Sequence, residues 1–125
     1  MNEKFIQNLD KLPADVRRQF ALLANQYGEK KKQDTIQNDF LSFVKHVWPD
    51  FVEGKHHKRI ADKFNKLASG EIKRLIINMP PRHTKSEFGS YLLPAWMVGK
   101  NPKLKIIQST NTTELSVRFG RKAKA

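Results

Sequence analysis

The chain has 125 residues, enough for one domain, or part of one, with a real core. It carries 24 Lys and Arg against 12 Asp and Glu, a formal charge of +12, spread along the chain rather than placed on one amphipathic helix. That balance points to a polyanionic partner, nucleic acid before a membrane surface, with a solvated basic surface as the alternative. Cysteine is absent, which excludes disulfides and thiolate metal sites and fits a reducing cytoplasm. No apolar run approaches the roughly 18 residues of a membrane span, and Met1-Asn-Glu-Lys4 is no signal-peptide start.

Residues 13–31 read as a helix, with Pro13 in its first turn and Val16, Phe20, Leu23 and Tyr27 repeating at helical spacing. The polar run Glu29-Lys-Lys-Lys-Gln33 reads as a linker, separating an N-terminal helical arm (1–33) from a second region (34–125). A second helix is expected over 35–47, with Ile36, Phe40, Phe43, Val44 and Val47 on one face, stopped by Trp48-Pro49. A third, over 56–68, would bury Ile60, Phe64 and Leu67 and leave through Ser69-Gly70. Lys73 to Asn78 reads as a strand whose unbroken apolar centre predicts cover on both faces. The segment 85–99 is helical, but Pro94 must kink it or split it. Asn101-Pro102 turns the chain into a second strand, 104–109, and Asn111-Thr-Thr-Glu114 is a capping-box pattern opening a last helix from about Thr112.

This order predicts the α/β class: the start of a parallel sheet, two strands joined by a right-handed crossover helix, behind a helical N-terminal region. A sheet ending after two strands would be an incomplete domain with an exposed edge, and predicts marginal stability or aggregation.

The stretch from Ile77 to Ser86, Ile-Asn-Met-Pro-Pro-Arg-His-Thr-Lys-Ser, carries the most chemistry. Strand, turn, Lys-Ser and helix make the layout of a phosphate-binding loop, in which backbone N–H groups cradle phosphate. Lys85 would neutralise charge between the outer phosphates and Ser86 would ligate Mg²⁺. Arg82 would grip a phosphate oxygen or sense the γ-phosphate, while Pro81, His83 and Thr84 complete the loop, the last two mainly through backbone N–H groups. Met79 and Thr84 stand where the usual G-x-x-x-x-G-K-[ST] pattern has glycine, and a left-handed Thr84 would cost roughly 1–2 kcal/mol. An ordinary strand–turn–helix with solvated Lys85 and Arg82 is the alternative.

Elsewhere the signals are weaker. His56 and His57 are adjacent, with no acid or thiol at ligand spacing, and read as exposed helix-start residues or as one ring facing an adenine base. Arg118, Arg121 and Lys122 form a basic helix face suited to DNA phosphates, or simply solvated. After Lys85 the only acids are Glu87 and Glu114. The chain is therefore expected to bind a nucleotide without turning it over alone.

The run Phe40–Pro49, then Gly54-Lys-His-His57, then Gly70 through Ser86, then Pro94-Ala-Trp96 and Phe119-Gly-Arg-Lys122, resembles the N-terminal part of the large terminase subunit. That family is the DNA-packaging ATPase and nuclease of tailed bacteriophages, and the similarity covers about residues 36–125. The resemblance implies that Pro80–Ser86 is the Walker A loop for ATP and Mg²⁺, that Arg82 acts on the γ-phosphate, and that Ile106–Thr110 matches a motif coupling nucleotide state to DNA movement. It also implies double-stranded viral DNA, a portal protein and a small terminase subunit as partners, a homo-oligomer of the full-length protein, and the host cytoplasm as location. The family's Walker B strand, catalytic Glu and nuclease carboxylates have no counterpart in these residues, so neither hydrolysis nor cleavage is assigned to a position here. A non-catalytic basic module, or another phosphate-loop family such as a helicase, is the alternative.

Overall fold

The protein, a computed structural model, is described over residues 13–124; residues 1–12 of the expected N-terminal arm, and residue 125, lie outside the described residues. The elements in chain order are α1 (Ala14–Asn38), α2 (Phe40–Val47), α3 (Lys55–Ser69), α4 (Lys85–Glu87), a π-helical turn (Phe88–Leu92), α5 (Leu93–Lys100) and α6 (Thr113–Lys124). The chain divides into two units between Asp34 and Thr35.

In the first unit, α1 buries none of its residues, and Val16, Phe20, Leu23 and Tyr27 are all exposed. The run Glu29–Gln33, expected as a linker, continues the helix instead. Lys, Glu and Gln are good helix formers, and no Gly or Pro interrupts them after Gly28.

The helical chain breaks at Asp39, inside the second unit and later than expected. Asp39 turns extended (φ −127°, ψ 119°), and its carboxylate accepts from the Ser42 N–H at 2.8 Å and the Ser42 hydroxyl at 2.6 Å, capping α2. A reciprocal pair then ties α2 to α3: the Asn65 amide donates to Asp39 at 2.9 Å, and the Phe40 N–H donates to Asn65 Oδ1 at 2.9 Å. Burial pushes the Asp39 carboxyl up, but the hydrogen bonds from Ser42 and Asn65 outweigh it and hold the group below the usual carboxylate range.

The core forms around Phe40, which is fully buried. Its ring meets Phe64 of α3 at 5.0 Å, Phe88 of the π-helical turn at 5.4 Å and Trp96 of α5 at 5.5 Å, each edge-to-face. Val44, Ile60, Ala61 and Leu92 complete the buried cluster, and the Trp96 indole N–H donates to the Ile36 carbonyl at 3.1 Å. The predicted interruption at Pro94 is present as a widened turn. The Leu93 N–H reaches back five residues to the Phe88 carbonyl, and Pro94 enters at the start of α5, where a missing N–H costs least.

The expected α/β sheet is not there: among the described residues the protein is helical and forms no strand. Residues 74–80 and 104–110 carry no regular secondary structure. In the first segment Leu75, Ile77 and Met79 pack against the core while the intervening Ile76 is 87 % exposed, so it is covered on one face, not two. In the second, Ile107 is 97 % exposed. A β-branched run encodes extension and a wish for burial; a strand also needs a second backbone to complete its ladder, and no local pattern supplies one. The capping pattern at α6 is shifted by one residue: Thr112, not Asn111, accepts the Leu115 N–H at 3.3 Å.

Phe40→Ala is expected to cost about 3–5 kcal/mol, since it empties the centre of a packed aromatic cluster. Leu22→Ala on exposed α1 should stay within about 0.5 kcal/mol. Urea denaturation of the two variants measures the difference.

Candidate phosphate-binding loop

The loop is held at both ends by the core. Met79, at its start, packs against the buried cluster, and Phe88, three residues past Lys85, is fully buried within it. Between these anchors the backbone takes two left-handed residues, Arg82 (φ 65°) and Thr84 (φ 57°, ψ 8°). Thr84 thus adopts the geometry for which the usual pattern has glycine, at a cost of roughly 1–2 kcal/mol. Alternation into the left-handed region is what turns successive N–H groups toward a common centre and makes an anion-binding concavity.

Side chains brace this loop from inside. Lys85 bends back so that its ammonium donates to the Met79 carbonyl at 3.4 Å, spanning the loop from its last position to its first. His83 Nδ1 lies 2.9 Å from the Pro81 carbonyl; a carbonyl only accepts, so this nitrogen carries its proton. The Thr84 hydroxyl donates to the His83 carbonyl at 2.6 Å. His83 and Thr84, expected to contribute mainly backbone, therefore work through their side chains too.

The loop is also held from outside, which the sequence did not signal. His57, expected as an exposed helix-start residue, is only 5 % exposed, against the rings of Phe51 at 4.7 Å and Phe88 at 5.1 Å. Its Nδ1 accepts the Gly54 N–H at 2.8 Å, capping α3, and its Nε2 lies 2.7 Å from Thr84 Oγ1. A Cβ at Gly54 would stand 2.9 Å from the His56 ring, which would have to move, and in ordinary contact, 3.4 Å, with that of His57. The signal that could have found His57 is weak, a glycine two residues ahead of paired histidines at a helix start.

Of the remaining candidates, Pro81, Arg82 and Ser86 are exposed on the loop. On α6, Arg118 and Arg121 are exposed, whereas Lys122 is engaged: its ammonium pairs with Glu87 at 3.2 Å and lies 5.0 Å above the Tyr91 ring. Glu87 is the acid nearest the loop in sequence, and this pairing offsets its charge. The structure thus gathers Pro81–Ser86 into one loop and leaves Arg118 and Arg121 on α6.

No family model, no curated protein and no solved structure matches this chain. Among the described residues no helix is long and apolar enough to cross a membrane.

Two outcomes are expected. Arg82→Gly should stabilise the fold by about 0.5–1 kcal/mol, because relief of left-handed strain (about 1–2 kcal/mol) exceeds the added unfolded-state entropy (about 0.4–1 kcal/mol); urea denaturation reads it. The second concerns pH. Burial, then the neighbouring His56 charge, hold His57 below the ordinary histidine value against a smaller opposing pull from Glu53. Above about pH 6.5 both folded and unfolded states carry it neutral. As pH falls below that value the unfolded state takes up the proton first, so stability declines until pH passes the lower folded-state value. His57→Gln should remove this part of the decline in denaturation midpoints.

Proposed function

We propose that this chain binds ATP with Mg²⁺ through residues 79–86, as the nucleotide-binding part of a viral DNA-packaging motor of the large terminase kind. The observation that carries this reading is Thr84, a β-branched residue held in the left-handed conformation directly before Lys85 and Ser86, at the position of the pattern's second glycine. A strained backbone persists where surrounding structure over-determines it, and such strain clusters at ligand clamps. An ordinary turn would relax.

The residues fit the group. Backbone N–H groups around Arg82 and Thr84 would hold phosphate oxygens, Lys85 would exchange its Met79 carbonyl for the outer phosphates, and Ser86 would take a place on the metal. Arg82, exposed at the middle of the loop, would meet the γ-phosphate. Bound nucleotide supplies a phosphoanhydride whose occupancy biases the loop; no residue of this chain is assigned to its hydrolysis. In the assembled motor the partners would be double-stranded DNA, a portal protein, a small terminase subunit and further copies of the chain, in the host cytoplasm.

Exposed Arg118 and Arg121 on α6 favour a second reading, a basic DNA-binding module that uses the loop only structurally. Lys85→Ala separates the two. Under the nucleotide reading, Mg-ATP at ten times its dissociation constant stabilises the wild type by about 1.4 kcal/mol, and the substitution abolishes that thermal shift. A wild-type melting curve indifferent to millimolar Mg-ATP, with DNA binding unchanged by the substitution, would leave only the second reading.

A further inference from the structure

We infer that His57, which lies outside the loop, is a positioning residue that holds Thr84 in its phosphate-binding geometry and so sets the loop's affinity for nucleotide. The inference rests on the nucleotide reading above and names a residue that reading does not use.

Hydrogen-bond direction decides the chemistry. The Gly54 N–H can only donate, so His57 Nδ1 accepts and carries no proton. The ring's single proton is then on Nε2, 2.7 Å from Thr84 Oγ1, and donates to it. That leaves the Thr84 hydroxyl proton for the His83 carbonyl, where it is found at 2.6 Å. Three bonds run in one direction, from the start of α3 through His57 into the loop, and each donor meets an acceptor. The ring itself has little freedom, being buried between Phe51 and Phe88.

This chain explains why threonine can replace glycine before Lys85. Glycine reaches the left-handed region unaided but offers nothing to hold. Threonine is strained there, yet its hydroxyl is gripped by His57 on one side and by the His83 carbonyl on the other. The left-handed backbone at Thr84 is thereby fixed before any phosphate arrives, and preorganisation lowers the cost of binding.

Substitutions at His57 separate its two bonds. In His57→Asn the side-chain oxygen can still accept from Gly54 but the side chain stops short of Thr84. In His57→Gln an amide donor reaches toward Thr84. Titration with a fluorescent ATP analogue and Mg²⁺ should show about tenfold weaker binding for His57→Asn, the equivalent of one lost hydrogen bond, and near wild-type binding for His57→Gln. In a Thr84→Gly background His57→Asn should change affinity less than about twofold, because the partner is gone and glycine needs no support.

Wild-type affinity in His57→Asn, with Lys85→Ala still abolishing binding, would overturn the role of His57 alone. So would an equal loss from His57→Asn in both backgrounds, which would mark a general effect on folding. A wild-type chain that binds no ATP would overturn the nucleotide reading and this one with it, and needs no variant to recognise. Should His57→Asn fail to fold, ¹⁵N-edited NMR of wild-type histidines decides the bond directly: a protonated Nε2 and bare Nδ1 at His57 support the assignment, and the opposite tautomer refutes it.

Discussion

The edge-to-face cluster of Phe40, Phe64, Phe88 and Trp96 fixes almost everything else in the second unit. Phe88 is its most consequential member, because it sits three residues past Lys85 and therefore anchors the loop's exit. The same ring forms one wall of the His57 site. A single apolar contact network thus sets the distance between the start of α3 and the loop, and the hydrogen bond from His57 to Thr84 exists because that distance is right. Packing supplies the precision here, and polar chemistry uses it.

Two left-handed residues within three positions are an unusual load for a chain without glycine there. Their strain is offset locally. His83 braces Pro81, Lys85 braces Met79, and Thr84 is held through its hydroxyl. The loop thus keeps its form through hydrogen bonds made within the chain itself.

Ion pairs tie several acids into the strong basic excess. Glu87 is drawn to Lys122 of α6, and Glu53 is taken up by Lys45 of α2 and by Lys58 of α3 at 3.1 Å. Lys122 gives up a place on the basic face of α6 in doing so. The second non-helical segment is tied to the π-helical turn, because the Gln108 side chain donates to the Ser90 carbonyl at 2.8 Å.

Most of the helices could be read in the sequence, since an amphipathic repeat such as Phe40, Val44 or Ile60, Phe64 reports burial on one face directly. The interruption at Pro94 was legible for the same local reason, a missing N–H. The turn that carries Arg82, Lys85 and Ser86 was legible too, because a loop leading into a helix is contiguous in sequence. What local pattern could not give was pairing: the β-branched runs at 73–78 and 104–109 encode extension, but a sheet is a relation between backbones, and the fold leaves these segments without a ladder. Nor could it give the role of His57, 27 residues away from Thr84, because that bond exists only once the aromatic core has brought α3 against the loop. Sequence alone determined which segments would form helices and where the loop before Lys85 falls. Tertiary structure decided that no strands form among the described residues and that a buried histidine holds the loop, since both depend on contacts between segments far apart in the chain.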